Sequence, residues 1–163
     1  MKPWLAAGLT VTRAALEAVE AHARRCYPAE CCGVLAGSAG DVALVDEAVP
    51  FDNLADRYRA ADPAAFPRTS REAYVMNGAL LFEAMARAAA AGRPVKALYH
   101  SHCDRGAYFS AEDERQARAA GALLREVAWL VTSARGGGAV DDHRLFVYDA
   151  EEDAFAARVF VVA

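Results

Sequence analysis

The residues from His100 to Asp113 read HSHCDRGAYFSAED. His100 and His102 stand one residue apart, Ser110 follows, and Asp113 comes three positions later, giving H-x-H-x7-S-x2-D. Imidazole nitrogen and carboxylate oxygen are ligand atoms that suit zinc among the divalent metals. Catalytic zinc sites take three protein ligands and leave the fourth position for water, whose pKa then falls towards ~7. Each half of the pattern alone is commonplace. H-x-H also occurs as surface or satisfied buried histidines, and Ser-x-x-Asp is a common helix cap.

The flanking elements decide whether the two halves can meet. Val95-Lys96-Ala97-Leu98-Tyr99 leads in, flanked by Gly92 and Pro94, and reads as a short buried strand. Residues i and i+2 of a strand share a face, so both imidazoles can reach one point. Ser110 followed by Asp113 predicts a helix start, where a carboxylate is favoured by the helix dipole. Strand end and helix start together make an N/N/O set. Upstream, Pro28 to Gly37 read PAECCGVLAG.

Taken together these segments resemble the JAMM (MPN+) metalloprotease family. Its signature is an upstream Glu followed by H-x-H-x7-S-x2-D, and small prokaryotic members carry P-x-E-x-C-G-x-L-x-G upstream. The resemblance implies an MPN fold, a curved mixed sheet flanked by helices and related to the cytidine deaminase architecture. It implies one zinc per chain on His100, His102 and Asp113. It places Glu30 on the activated water as general base and then acid, where the residues alone show one acid beside a short strand. Ser110 fits two roles, helix cap and hydrogen-bond donor to the tetrahedral oxyanion. Where members often have Pro after H-x-H and before the Ser, this chain has Cys103 and Phe109. Cys103 could approach the metal or be oxidised nearby; the alternative is a loop thiol facing away. Zinc deaminases use H-x-E with P-C-x-x-C, and neither motif occurs here.

The chain has 163 residues, 55% hydrophobic and 25% charged, with a formal charge of −4. That predicts one α/β domain over residues 1–163 with a sizeable core. No basic stripe points to nucleic acid, and no apolar run approaches the ~20 residues of a membrane span. The four cysteines, Cys26, Cys31, Cys32 and Cys103, with no secretory signal, are expected as free thiols in a reducing cytoplasm.

Along the chain, Trp4 to Val11 reads as a strand or extended lead-in. Thr12 caps an amphipathic helix over Arg13 to Cys26, with His22 on its polar face. Cys32 to Ala36 is a strand, and Val42 to Val49 should pair with it across a Gly37 to Gly40 turn. Phe51 to Arg71 reads mostly as loop, either mobile surface or substrate-facing; its Arg57-Tyr58 and Asp62-Pro63 are similar to family elements. Glu72 to Met76 reads as a strand. A helix over Ala79 to Ala91 should bury Leu80, Leu81, Met85 and Ala88. After the motif come a helix over Ala111 to Ala120, a strand over Glu126 to Ser133, a flexible glycine loop over Ala134 to Asp142, a strand over Arg144 to Tyr148 and a closing strand over Phe155 to Val162. His143 is read as no ligand.

The expected activity is zinc-dependent hydrolysis of an amide, peptide or isopeptide bond. The resemblance implies a ubiquitin-like or sulfur-carrier substrate ending in Gly-Gly, relieved of a C-terminal extension or a cysteine adduct. Two other readings stay open: a non-catalytic MPN scaffold, and a metal-binding protein without hydrolysis. Sequence names neither the carrier nor the oligomeric state.

Overall fold

The computed structural model describes residues 1–163. A short helix α1 (Pro3–Ala7) opens the chain, then come β1 (Leu9–Val11), α2 (Arg13–Cys26), β2 (Cys32–Ala36), β3 (Leu44–Val45) and β4 (Glu47–Phe51). Next are α3 (Ala55–Ala61), α4 (Gly78–Ala90), β5 (Val95–Cys103) and α5 (Ala111–Ala119). The chain closes with β6 (Ala128–Arg135), β7 (Ala139–Asp149), β8 (Ala154–Arg158) and β9 (Phe160–Val162). Six strands form the main sheet in the order β4-β2-β5-β6-β7-β8. All its pairs are antiparallel except β5 with β6. A small parallel sheet, β3-β1-β9, stands beside it. This is the mixed α/β architecture expected.

The central strand β5 is buried on both faces. Ala97 and Tyr99 belong to one apolar cluster with Leu16 and Val19 of α2. Val95 and Leu98 belong to another with Leu81 of α4, Ala117 of α5 and Trp129 of β6. Burial on both faces explains the near-continuous apolar run read from the sequence. Gly33 of β2 is required by this packing: a Cβ there would meet the Tyr99 ring at 2.5 Å. Lys96 is fully buried, and its ammonium donates to the carbonyls of Ser38, Asp41 and Leu44.

Several local readings are corrected. Trp4–Ala7 is helical, not extended, because Pro3 is preorganised for a first turn and Gly8 at φ 78° ends it. Of Val42–Val49, only the Glu47 end pairs with β2; Leu44–Val45 joins β1 in the small sheet. Glu72–Met76 is not a strand. Its polar backbone is held by Asn53 and Leu54 instead: Val75 N donates to Asn53 Oδ1, Asn53 Nδ2 to Ala73 O, and Leu54 N to Val75 O. Leu80 is exposed, and Leu81 carries the buried stripe of α4. The glycines 136–138 form a tight turn, with Arg135 already paired to Ala139. Phe155–Val162 divides between the two sheets. His22 is buried, sharing a 2.8 Å hydrogen bond with the Tyr99 hydroxyl. Burial and then Arg25 lower its pKa, so it stays neutral.

Candidate metal centre

His100 and His102 lie near the end of β5, and alternation sends both to the face that carries Leu98. β2 runs antiparallel beside them with Cys32 opposite His100. The pairing continues beyond Cys32, because Ser101 N donates to Cys31 O and Cys31 N donates to Ser101 Oγ. One residue further, Glu30 comes level with His102. Its backbone is pinned: Glu30 N donates to Ser70 O at 2.7 Å, and Asn53 Nδ2 donates to Glu30 O at 3.0 Å.

Asp113 arrives from the first turn of α5. Ser110 Oγ accepts from Asp113 N at 3.1 Å, and Asp113 Oδ2 accepts from Ser110 N at 2.8 Å, a reciprocal capping box. The carboxylate then lies 3.1 Å from His100 Nε2 and 3.0 Å from His102 Nε2. The two Nε2 atoms are 3.3 Å apart. One ligand atom from each residue falls within 4.8 Å of the others, and all three residues are buried.

The donor set fits a divalent cation. His102 Nδ1 lies 2.9 Å from Gly106 O. A carbonyl only accepts, so Nδ1 is the donor in this bond, and Nε2 is the nitrogen turned to the Asp113 carboxylate. Burial raises the Asp113 carboxyl, but His100 and His102 together hold it far below the usual carboxylate range. Two ring nitrogens and a carboxylate this close together in a buried place require a proton or a cation between them. Burial lowers the His100 pKa, yet Asp113 and Glu30 outweigh it and raise it overall. Two imidazoles and one carboxylate, oriented by a backbone carbonyl and a helix cap, are a zinc-type set.

Glu30 is 1% exposed and pairs through Oε1 with Arg105 Nη2 at 2.5 Å. Its Oε2 is buried and has no hydrogen-bond partner in the protein. Burial pushes the Glu30 carboxyl up to about 7, against the downward pull of His100 and Arg105. Aromatic rings wall the histidines. Tyr74 stacks on His100 with centroids 4.5 Å apart, and Tyr108 sets its edge on His102 at 4.9 Å. The loop after β5 is anchored by Asp104 at φ 61°. Asp104 Oδ2 accepts from the Tyr27 hydroxyl at 2.6 Å, and its Oδ1 accepts from Gly136 N at 3.1 Å.

The structure thus brings His100, His102 and Asp113 together, with Glu30 beside them and Ser110 at the helix start. Cys103 is outside the converging group, and burial pushes its thiol up to about 11. His143 is also elsewhere, bonded to Glu20 and Thr132. Four contributors were not read from the sequence: Arg105, Tyr74, Tyr108 and the Gly106 carbonyl. Arg105 did carry a signal, being the sole cation between the second histidine and Ser110. Tyr74 was hidden in a segment read as a strand.

A family described as prokaryotic homologs of the JAB domain matches residues 12–147, which include every residue of this site. The chain belongs to that family. Solved structures share the chain's fold, one of them a JAB1/MPN domain protein. A protein from Desulfitobacterium hafniense is similar at 23% identity and TM-score 0.69, covering 95% of this chain and 92% of its own. One from Salinibacter ruber gives 22% and 0.60 over 95% and 92%. A JAB1/MPN domain protein from Archaeoglobus fulgidus gives 13% and 0.53 over 95% and 99%. At these identities the likeness shows the fold alone. No curated protein matches the chain. No helix is long and apolar enough to cross a membrane.

Proposed function

We propose that this prokaryotic JAB protein is a zinc-dependent metallopeptidase or isopeptidase. It would hydrolyse the amide bond after the C-terminal Gly-Gly of a ubiquitin-like or sulfur-carrier protein, releasing an extension or an adduct such as cysteine. The observation that carries this reading is the buried acceptor-rich set of His100, His102 and Asp113 beside a buried, half-paired Glu30. A metal scaffold without chemistry would have no use for that carboxyl. In its place, zinc supplies Lewis acidity towards a carbonyl oxygen and acidifies a coordinated water.

The chain's own groups would do the rest. Glu30 Oε2, the oxygen left free by Arg105, takes a proton from the attacking water and passes it to the leaving amide nitrogen. A carboxyl poised at about 7 is matched to both halves of that transfer near neutrality. Ser110 already accepts from Asp113 N, and its hydroxyl proton has no acceptor in the protein, so it is free to donate to the oxyanion. The approach past Tyr108, which is 45% exposed, and the buried Tyr74 favours a thin chain, and glycines are the thinnest.

The test is intact mass of carriers incubated with zinc-loaded protein, with Glu30→Gln as control. The carriers would end in Gly-Gly-Cys, in Gly-Gly with a longer extension, or in an isopeptide-linked dimer. Mass loss after Gly-Gly that vanishes with Glu30→Gln is the expected result. Bound zinc with no cleavage of any carrier would favour the binding-only readings.

A further inference from the structure

Arg105 is more than a counter-ion. Its guanidinium has five N–H donors, and one of them meets Glu30 Oε1. The others meet no acceptor in the protein, and the side chain is 32% exposed. Residues on both sides fix it in place. Asp104 is tied to Tyr27 and Gly136, and the Gly106 carbonyl to His102. A preorganised cation with a free fork, about a third open to solvent, is a carboxylate receptor.

The Glu30 contact says which carboxylate. If Glu30 Oε2 delivers a proton to the leaving amine, it must come within about 2.6–3.2 Å of that nitrogen. In a leaving amino acid the carboxylate carbon lies about 2.5 Å beyond the nitrogen, two bonds away. Arg105 Nη2 sits 2.5 Å from the other oxygen of the same Glu30 carboxyl. The leaving α-carboxylate therefore falls within reach of the free guanidinium edge. A lysine ε-amine in an isopeptide bond, or an extension that continues as peptide, presents no carboxylate there.

We propose that Arg105 selects the leaving group by binding the free α-carboxylate of a single amino acid joined to the carrier's C-terminal glycine. This rests on the hydrolase reading above and narrows its substrate to carrier–amino acid adducts.

The experiment compares Gly-Gly-Ala as free acid with Gly-Gly-Ala carboxamide. Each is titrated into the full chain while the Arg105 Nε–H resonance is followed, assigned by its loss in Arg105→Lys. In parallel, a carrier ending in Gly-Gly-Ala is offered to zinc-loaded protein as acid and as amide. The acid should move the Arg105 resonance and bind roughly 10- to 100-fold tighter than the amide. Cleavage should show the same preference. Arg105→Lys, which keeps a charge for Glu30 but loses the fork, and Arg105→Gln should both bring the acid-to-amide ratio close to one. Equal binding of acid and amide, or equal loss of both in the variants, would overturn the proposal whether or not the protein is a hydrolase. Selective binding of the acid through Arg105 with no cleavage of either carrier would uphold Arg105 as the receptor and sink the hydrolase reading.

Discussion

Ser110→Ala separates two roles that one hydroxyl is asked to play. As a cap, Ser110 Oγ accepts a single bond from Asp113 N at 3.1 Å. Replacing an N-cap serine by alanine costs about 1 kcal/mol. In a domain of this size that lowers Tm by about 2–4 °C. The reciprocal half of the box, Ser110 N to Asp113 Oδ2, uses the backbone and survives the substitution. The carboxylate should therefore hold its position, and zinc affinity should change little. As an oxyanion donor, the same hydroxyl would be worth about 10²–10³ in kcat. The assay is kcat on the cleaved carrier beside a melting curve of the zinc-loaded protein, with Ser110→Thr retaining both functions. The expected result is a small fall in Tm, unchanged zinc binding and a large fall in kcat in the alanine variant alone. A fall in kcat below about tenfold, alongside the small Tm change, would refute the oxyanion role and leave Ser110 a cap.

Zinc at about 100 times its dissociation constant should stabilise the chain by about 2.7 kcal/mol, a Tm rise of several degrees. His100→Ala or Asp113→Asn should abolish that rise, and a rise that persisted would move the metal elsewhere. In chelated protein, Glu30 with a folded pKa of about 7 against an ordinary 4.5 binds protons that the unfolded chain has released. Its contribution to stability is therefore lost as pH rises from 4.5 to 7, by about 3 kcal/mol. Denaturant titrations at both pH values should show this loss in the wild type and not in Glu30→Gln; the same pH dependence in both proteins would refute the raised Glu30 pKa. Lys96→Met removes the donor for three backbone carbonyls and should cost about 3 kcal/mol, whereas a Tm drop under 2 °C would show that the carbonyls find other donors.

The convergence of His100, His102 and Asp113 was legible because its geometry is local at each end. A period of two on β5 puts His100 and His102 on one face, and a box of three residues aims Asp113. The pattern S-x-x-D encodes that box whatever the rest of the fold does. Helices α2 and α5 were equally plain, each with a capping side chain and, for α2, a helical apolar stripe. The failures share a cause. Glu72–Met76 has a strand's composition, but Asn53, some twenty residues upstream, bonds its backbone in place of a neighbouring strand. His22 looked solvated on its helix because its partner, Tyr99, is 77 positions away.

Glu30 and Arg105 are the sharpest case of the same limit. A carboxyl at 1% exposure would not remain ionised alone, since desolvation favours its neutral form. Something must offset that, and the motif around Glu30, PAECCG, holds no cation. The cation comes from 75 positions later, in the loop between the histidines and the helix that carries Asp113. The same loop therefore does two things at once. Through Gly106 it fixes which nitrogen of His102 faces the carboxylate, and through Arg105 it adds, after His100, to the pull against the burial that raises the Glu30 carboxyl. The seven residues between His102 and Ser110 in H-x-H-x7-S-x2-D look like a spacer in the pattern. In the fold they couple the His100–His102–Asp113 set to Glu30, so substitutions at Asp104, which anchors the loop to Tyr27 and Gly136, should disturb the Glu30 pairing without touching that set.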